Sequence, residues 1–154
     1  MRVLDIIEGT IVDGPGLRTG IYFAGCAHQC PGCHNPESWD FDAGTEMTVD
    51  RLVEVVALNG FNVSLTGGDP LYQIDNGLLE LCEKIKELGL NIWCYTGFTI
   101  EEIARSEKLK RILAYVDVIV DGPFIESRRN LSLRFRGSDN QRIIDVNSFV
   151  PDSL

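Results

Sequence analysis

Within ten residues, Gly25 to His34, the chain carries three of its five cysteines: Cys26, Cys30 and Cys33. The spacing is Cys-x3-Cys-x2-Cys. Pro31, Gly32 and the nearby Pro36 keep this stretch out of a helix, so a loop must gather the thiols. Three thiolates on one loop suit a metal centre, and thiolates are the usual protein ligands of iron–sulfur clusters. A 4Fe-4S cluster offered only three thiolates keeps one iron open to another ligand.

Two bland alternatives stand beside this reading. One is a structural zinc site of Cys26, Cys30, Cys33 and either His28 or His34, since zinc accepts three cysteines and a histidine. Zinc sites usually pair two ligand hairpins, and no second Cys-x-x-Cys occurs here. The other is a ferredoxin-like electron carrier with Cys82 or Cys94 as fourth ligand. Cys82 falls on the apolar stripe of a helical pattern and Cys94 inside a strand pattern, where cysteine acts as a small hydrophobe. An odd cysteine count argues against a disulfide framework.

Composition narrows the partners. The 154 residues carry a formal charge of −9 and are 44% hydrophobic, so a single domain over 1–154 with a real core is expected. An acidic chain lacks the basic stripe of a nucleic-acid binder. Its few basic residues gather late, at Arg128, Arg129 and from Arg134 to Arg142. No apolar run approaches the roughly 20 residues of a membrane span, and Met1 to Gly9 lacks a signal-peptide core. No membrane and no nucleic acid, with a cytoplasmic location, is the expectation.

The pattern along the chain predicts strands at Arg2–Ile7, Thr19–Ala24, Asn62–Thr66, Asn91–Tyr95 and Asp117–Val120. Helices are expected at Thr48–Leu58, with Thr48 as N-cap, at Asp75–Leu88, and at Thr99–Ala104 and Glu107–Ala114. Strands alternating with helices predict βα units, four or five of them, and a parallel sheet. A closed eight-stranded barrel needs about 250 residues. The fold class is therefore α/β: an open, partial βα barrel with a mostly parallel sheet. Ligands bind such sheets at the carboxyl ends of the strands. The cysteine loop, Gly67-Gly68-Asp69-Pro70, Thr96-Gly97 and Asp121-Gly122 all follow strands and are expected on one rim. Paired glycines at a strand end let a ligand approach the bare backbone.

The cysteine spacing followed by a strand ending in Gly-Gly-Asp-Pro resembles the radical S-adenosylmethionine (SAM) superfamily. Val12-Asp13-Gly14-Pro15-Gly16-Leu17-Arg18 is similar to the N-terminal motif of its glycyl-radical activating enzymes. Four further runs resemble the activators of anaerobic ribonucleoside-triphosphate reductases: Cys30 to Asn35, Trp93 to Gly97, Val120 to Gly122, and Arg136-Gly137-Ser138-Asp139-Asn140-Gln141. The likeness covers about residues 5 to 142. The wider superfamily often places an aromatic residue where this chain has Gly32. Activators of pyruvate formate-lyase are similar but longer, and remain the nearest alternative.

The resemblance implies a radical SAM fold, a 4Fe-4S cluster held by Cys26, Cys30 and Cys33, and SAM as second cofactor. It implies that Gly67, Gly68 and Asp69 hold the amino group of SAM, with Gly32, Cys33 and His34 against the cofactor. The implied activity is reductive cleavage of SAM to a 5′-deoxyadenosyl radical, which takes a hydrogen atom from a glycine on the glycyl-radical subunit of the reductase. An electron donor such as flavodoxin is implied too. The surface around Asp13–Arg18, Asn35–Trp39 and Arg134–Gln141 is expected to meet the reductase. His28 is expected to face solvent unless it ligates metal.

Overall fold

The computed structural model describes residues 1–28, 30 and 39–149. Its seven strands are β1 (Arg2–Thr10), β2 (Arg18–Phe23), β3 (Thr45–Glu46), β4 (Asn62–Gly67), β5 (Ile92–Tyr95), β6 (Val118–Asp121) and β7 (Arg142–Asp145). They form one sheet in the order β3-β1-β2-β4-β5-β6-β7. β2, β4, β5 and β6 run parallel. The edges are antiparallel, β1 on β2 and β7 on β6. The order does not close on itself, so the sheet is open, and the expected α/β class holds.

Three helices make the crossovers: α1 (Val49–Asn59), α2 (Leu78–Glu87) and α3 (Ile100–Arg105). Among the described residues these give three βα units, fewer than the four or five expected, because β1 and β7 join by hairpin-type pairing that needs no crossover helix. α1 begins as predicted, with the Thr48 hydroxyl accepting from Arg51 N–H at 3.1 Å. α2 begins later than Asp75. Pro70–Asn76 forms a 3-10 turn instead, and Gly77, at φ +108°, separates it from the helix. The Leu109–Ala114 stretch is likewise 3-10.

Side chains alternate across a strand, and the two faces of this sheet differ. Ile21, Phe23, Val63, Leu65, Ile92, Cys94 and Ile119 point to the helices and pack with Leu52, Val56, Leu81, Ile85 and Ile103. Arg18, Tyr22, Ser64, Trp93 and Tyr95 occupy the other positions. Among the described residues that face carries no α-helix. It is flanked by residues 11–17, where the Asp13 carbonyl accepts from Ser64 Oγ, and by Phe135, whose ring meets Trp93 edge-on at 5.5 Å. Among the described residues no helix is long and apolar enough to cross a membrane.

Arg18 organises this second face. It is 1% exposed and bonds only to neutral acceptors. Its Nε donates to Ser64 Oγ at 2.9 Å, one terminal nitrogen to the Pro15 carbonyl at 3.0 Å, and the other to the Val63 carbonyl at 3.0 Å and Asn91 Oδ1 at 2.6 Å. The Trp93 ring lies 5.6 Å from the guanidinium. One cation thus joins the 11–17 segment, β4 and the start of β5. It cannot also meet a partner, which removes Arg18 from the expected docking surface.

A lysine carries the charge but not the planar fork. Arg18→Lys should leave several of these acceptors unmet, at a cost of about 2 kcal/mol or more. The check is the shift in urea midpoint at unchanged m-value. A midpoint equal to wild type would show that the fork is not needed.

Candidate metal and cofactor site

The carboxyl ends of the four parallel strands converge on one cavity. Its walls include Cys26, His28 and Cys30 after β2, Gly67 and Gly68 after β4, Thr96 and Gly97 after β5, and Gly122 after β6. Phe124 and Gln141 close the far side. The expected rim is therefore present. Cys26 and Cys30 are on it, while Gly32, Cys33 and His34 lie outside the described residues.

Backbone bonds sew the β2 and β4 ends together. Gly68 N–H donates to the Phe23 carbonyl at 2.8 Å, and Asp69 N–H to the Gly25 carbonyl at 2.9 Å. Gly67 takes φ +105°, and any Cβ there would strike the Phe23 backbone. The glycine turn thus presents bare main chain to the cavity.

Asp69 points the other way. It is wholly buried and caps the 3-10 turn by accepting from Leu71 N–H at 3.0 Å. Its Oδ2 accepts from His28 Nε2 at 2.7 Å, Thr96 Oγ1 at 2.8 Å and Gly97 N–H at 2.9 Å. Sequence reasoning missed His28. Its side chain is only 17% exposed, not solvent-facing, and is set between Phe98 (4.6 Å, edge-on) and Tyr72 (5.6 Å). Its position between two cysteines was the one available signal.

Cys82 and Cys94 are fully buried in the helix-side core. Burial pushes the Cys82 thiol up to about 12 and raises that of Cys94 well above the ordinary value. A metal ligand must be the thiolate, so neither suits a fourth-ligand role. The Tyr95 hydroxyl, on the cavity wall, is buried with no hydrogen-bond partner.

The Arg136–Gln141 motif folds on itself as the far wall. Gln141 Oε1 accepts from Gly137 and Ser138 N–H, and its Nε2 donates to the Gly122 carbonyl at 3.1 Å. Arg136 donates to the Gln141 carbonyl at 3.0 Å and is half-buried. Asn140 Nδ2 donates to the Pro123 carbonyl at 2.9 Å. The late basic cluster is largely spent inside the chain: Arg128 pairs with Asp139, and Arg142 with Glu101 and Asp121. Asp121 also accepts from Ile100 N–H at 2.8 Å, tying the end of β6 to the start of α3.

Thiols and bare glycine backbone sharing the carboxyl rim of an open, parallel-centred sheet fit a cluster-binding α/β protein. The family described as "4Fe-4S single cluster domain" matches residues 12–144. The fold resembles that of QueE from Escherichia coli, with a TM-score of 0.54, 17% identity, and 78% of this chain and 69% of that one covered. An anaerobic ribonucleoside-triphosphate reductase-activating protein of Vibrio cholerae is 34% identical over 142 residues, covering 86% of this chain and 90% of that protein. The one from Escherichia coli K12 is 34% identical, with 85% and 90% covered. The one from Enterobacteria phage T4 is 36% identical, with 86% of each covered. The chain belongs to the family of anaerobic ribonucleoside-triphosphate reductase-activating proteins.

The Arg142 fork holds the Glu101 carboxyl down at about 2, from an ordinary 4.5. A lowered folded-state value stabilises the fold above about pH 4.5, and the contribution fades as pH falls toward 2. Glu101 is one-third exposed, so the pair adds only roughly 0.2–1 kcal/mol. In Arg142→Gln, carboxyl NMR should find Glu101 titrating close to its ordinary value. An unmoved titration would assign the shift to something other than Arg142.

Proposed function

We propose that this chain activates an anaerobic ribonucleoside-triphosphate reductase by generating a glycyl radical on that enzyme's glycyl-radical subunit. The observation that carries the reading is the meeting of Cys26 and Cys30 with the Gly67-Gly68 backbone in one cavity at the strand ends. Family membership and the names of the relatives support it.

The residues fit the implied group. Cys26 and Cys30, with Cys33, would hold three irons of a 4Fe-4S cluster. Gly67, Gly68 and Asp69 form the turn that holds the amino group of SAM, the exposed main chain facing the ligand and the Asp69 carboxylate fixing the turn from behind. Gly32, Cys33 and His34 would lie against the cofactor. When bound, the cluster would supply one electron for the reductive cleavage of SAM, and SAM the radical chemistry that would take a hydrogen atom from the partner glycine. The protein's own share is position and the exclusion of water. Phe124 and Gln141 wall the cavity on the side away from the thiols. A flavodoxin is the proposed electron donor, and the cytoplasm the proposed location. The partner would dock over the open rim, beside the Arg134–Gln141 stretch, whose Gln141 lines the cavity.

Anaerobically reconstituted protein should hold about four irons per chain. Alanine at Cys26, Cys30 or Cys33 should abolish stable iron, while Cys82→Ala and Cys94→Ala should retain it. Iron analysis and absorption spectra check this, and stoichiometric zinc with no iron would defeat it. With SAM and a reductant, the loaded protein should release 5′-deoxyadenosine and give a glycyl-radical EPR doublet on the reductase. The same signal on pyruvate formate-lyase, and none on the reductase, would point to the neighbouring family.

A further inference from the structure

Asp69 and His28 join the cluster loop to the ends of two strands. The start of the cluster loop is tied to the turn after β4 by Asp69 N–H, which donates to the Gly25 carbonyl at 2.9 Å, and Cys26 N–H donates to the Trp39 carbonyl at 3.4 Å. Among the described residues between Cys26 and Cys30, His28 reaches inward. Its Nε2 meets the Asp69 carboxylate at 2.7 Å. A carboxylate only accepts, so Nε2 is the protonated nitrogen. The same oxygen accepts from Thr96 Oγ1 and Gly97 N–H, at the end of β5. The other oxygen caps the turn after β4. One buried carboxylate therefore references the cluster loop to two strand ends at once.

The surroundings are shaped to this ring. A Cβ at Gly97 would lie 2.5 Å from His28 Cδ2, so only glycine admits the imidazole there. Phe98 and Tyr72 flank the ring, and Phe41 packs on Tyr72 at 5.5 Å. Bond, ring contacts and missing side chain all act on one residue located two positions from Cys26 and two from Cys30.

We propose that His28 and Asp69 form a strut that places Cys26 and Cys30 against the glycine turn before any cluster binds, making both of them positioning residues. The inference rests on the reading of this rim as the cluster and SAM site. The strut is made of protein groups alone. It sets the distance between the loop that carries iron and the turn that carries SAM, so its loss should be felt in both. Partners that orient metal-binding groups typically alter metal affinity or activity by about 10–100-fold.

The test compares His28→Gln, His28→Phe and Gly97→Ala with wild type, all as full chains. Glutamine keeps a donor near the Nε2 position but no ring. Phenylalanine keeps the ring but no donor. Gly97→Ala leaves His28 intact and fills its place. In metal-free protein, amide hydrogen exchange at Ala27 and His28 should rise about tenfold or more in His28→Phe and Gly97→Ala, and stay near wild type in His28→Gln. After anaerobic reconstitution, iron loss to a chelator should quicken by about tenfold in the first two. The change that SAM makes to the EPR signal of the reduced cluster should be diminished in both and kept in His28→Gln. Wild-type exchange, iron retention and EPR response in His28→Phe would show that packing suffices and overturn the strut. So would a His28→Gln as impaired as His28→Phe. If His28→Phe does not fold, Gly97→Ala alone decides by the same readouts. If wild type takes up no cluster, the functional reading fails, while the exchange rates still judge the strut.

Discussion

A single buried carboxylate fixes the working end of this molecule. Asp69 accepts four hydrogen bonds, from residues contributed by the cluster loop, the 3-10 turn and the end of β5. A buried charge is tolerated only when its lone pairs are met. Here the donors are drawn from three chain segments, so satisfying the charge also brings the segments together. Removal of any one donor leaves the others attached to an under-satisfied anion. This is why the rim is built as a unit and not as four independent loop ends.

The helix-free face is organised by the opposite charge. Arg18 spreads its donors over carbonyls and neutral side chains, with no carboxylate hydrogen-bonded to it among the described residues. It ties the 11–17 segment across the amino-terminal ends of β2, β4 and β5. The two ionic anchors thus sit at opposite ends of the parallel strands, one under the segment that borders the open face and one behind the cavity. Between them Tyr22, Thr66 and Tyr95 line a polar floor. A sheet with both faces covered by helices has no such floor. This one has it because α1, α2 and α3 all pack on the same side.

The C-terminal motif is built as architecture. Residues 136–141 satisfy one another and staple Gly122 and Pro123 in place. Arg136 and Asn140 keep one buried polar atom each without a partner, at the edge of the wall they build. Through their bonds to Gln141 and Pro123 they back the side of the cavity that Gln141 lines.

The sequence alone determined the class of chemistry and the direction of the sheet. Three cysteines around Pro31 and Gly32 pointed to a ligand loop, and the alternation of strands with amphipathic helices to a parallel βα sheet whose carboxyl ends share a rim. Local signals such as Thr48 before α1 were equally legible, because a cap is decided within one turn of chain. β3 and β7 were not, since strands of two and four residues at sheet edges carry too little pattern of their own and exist by pairing. Tertiary structure alone decided that Arg18 is buried, that Asp69 turns inward, and that His28 is locked rather than exposed. Each depends on partners 27 to 73 residues away. Proximity of that kind is set by how the strand ends stack, and no spacing along the chain encodes it.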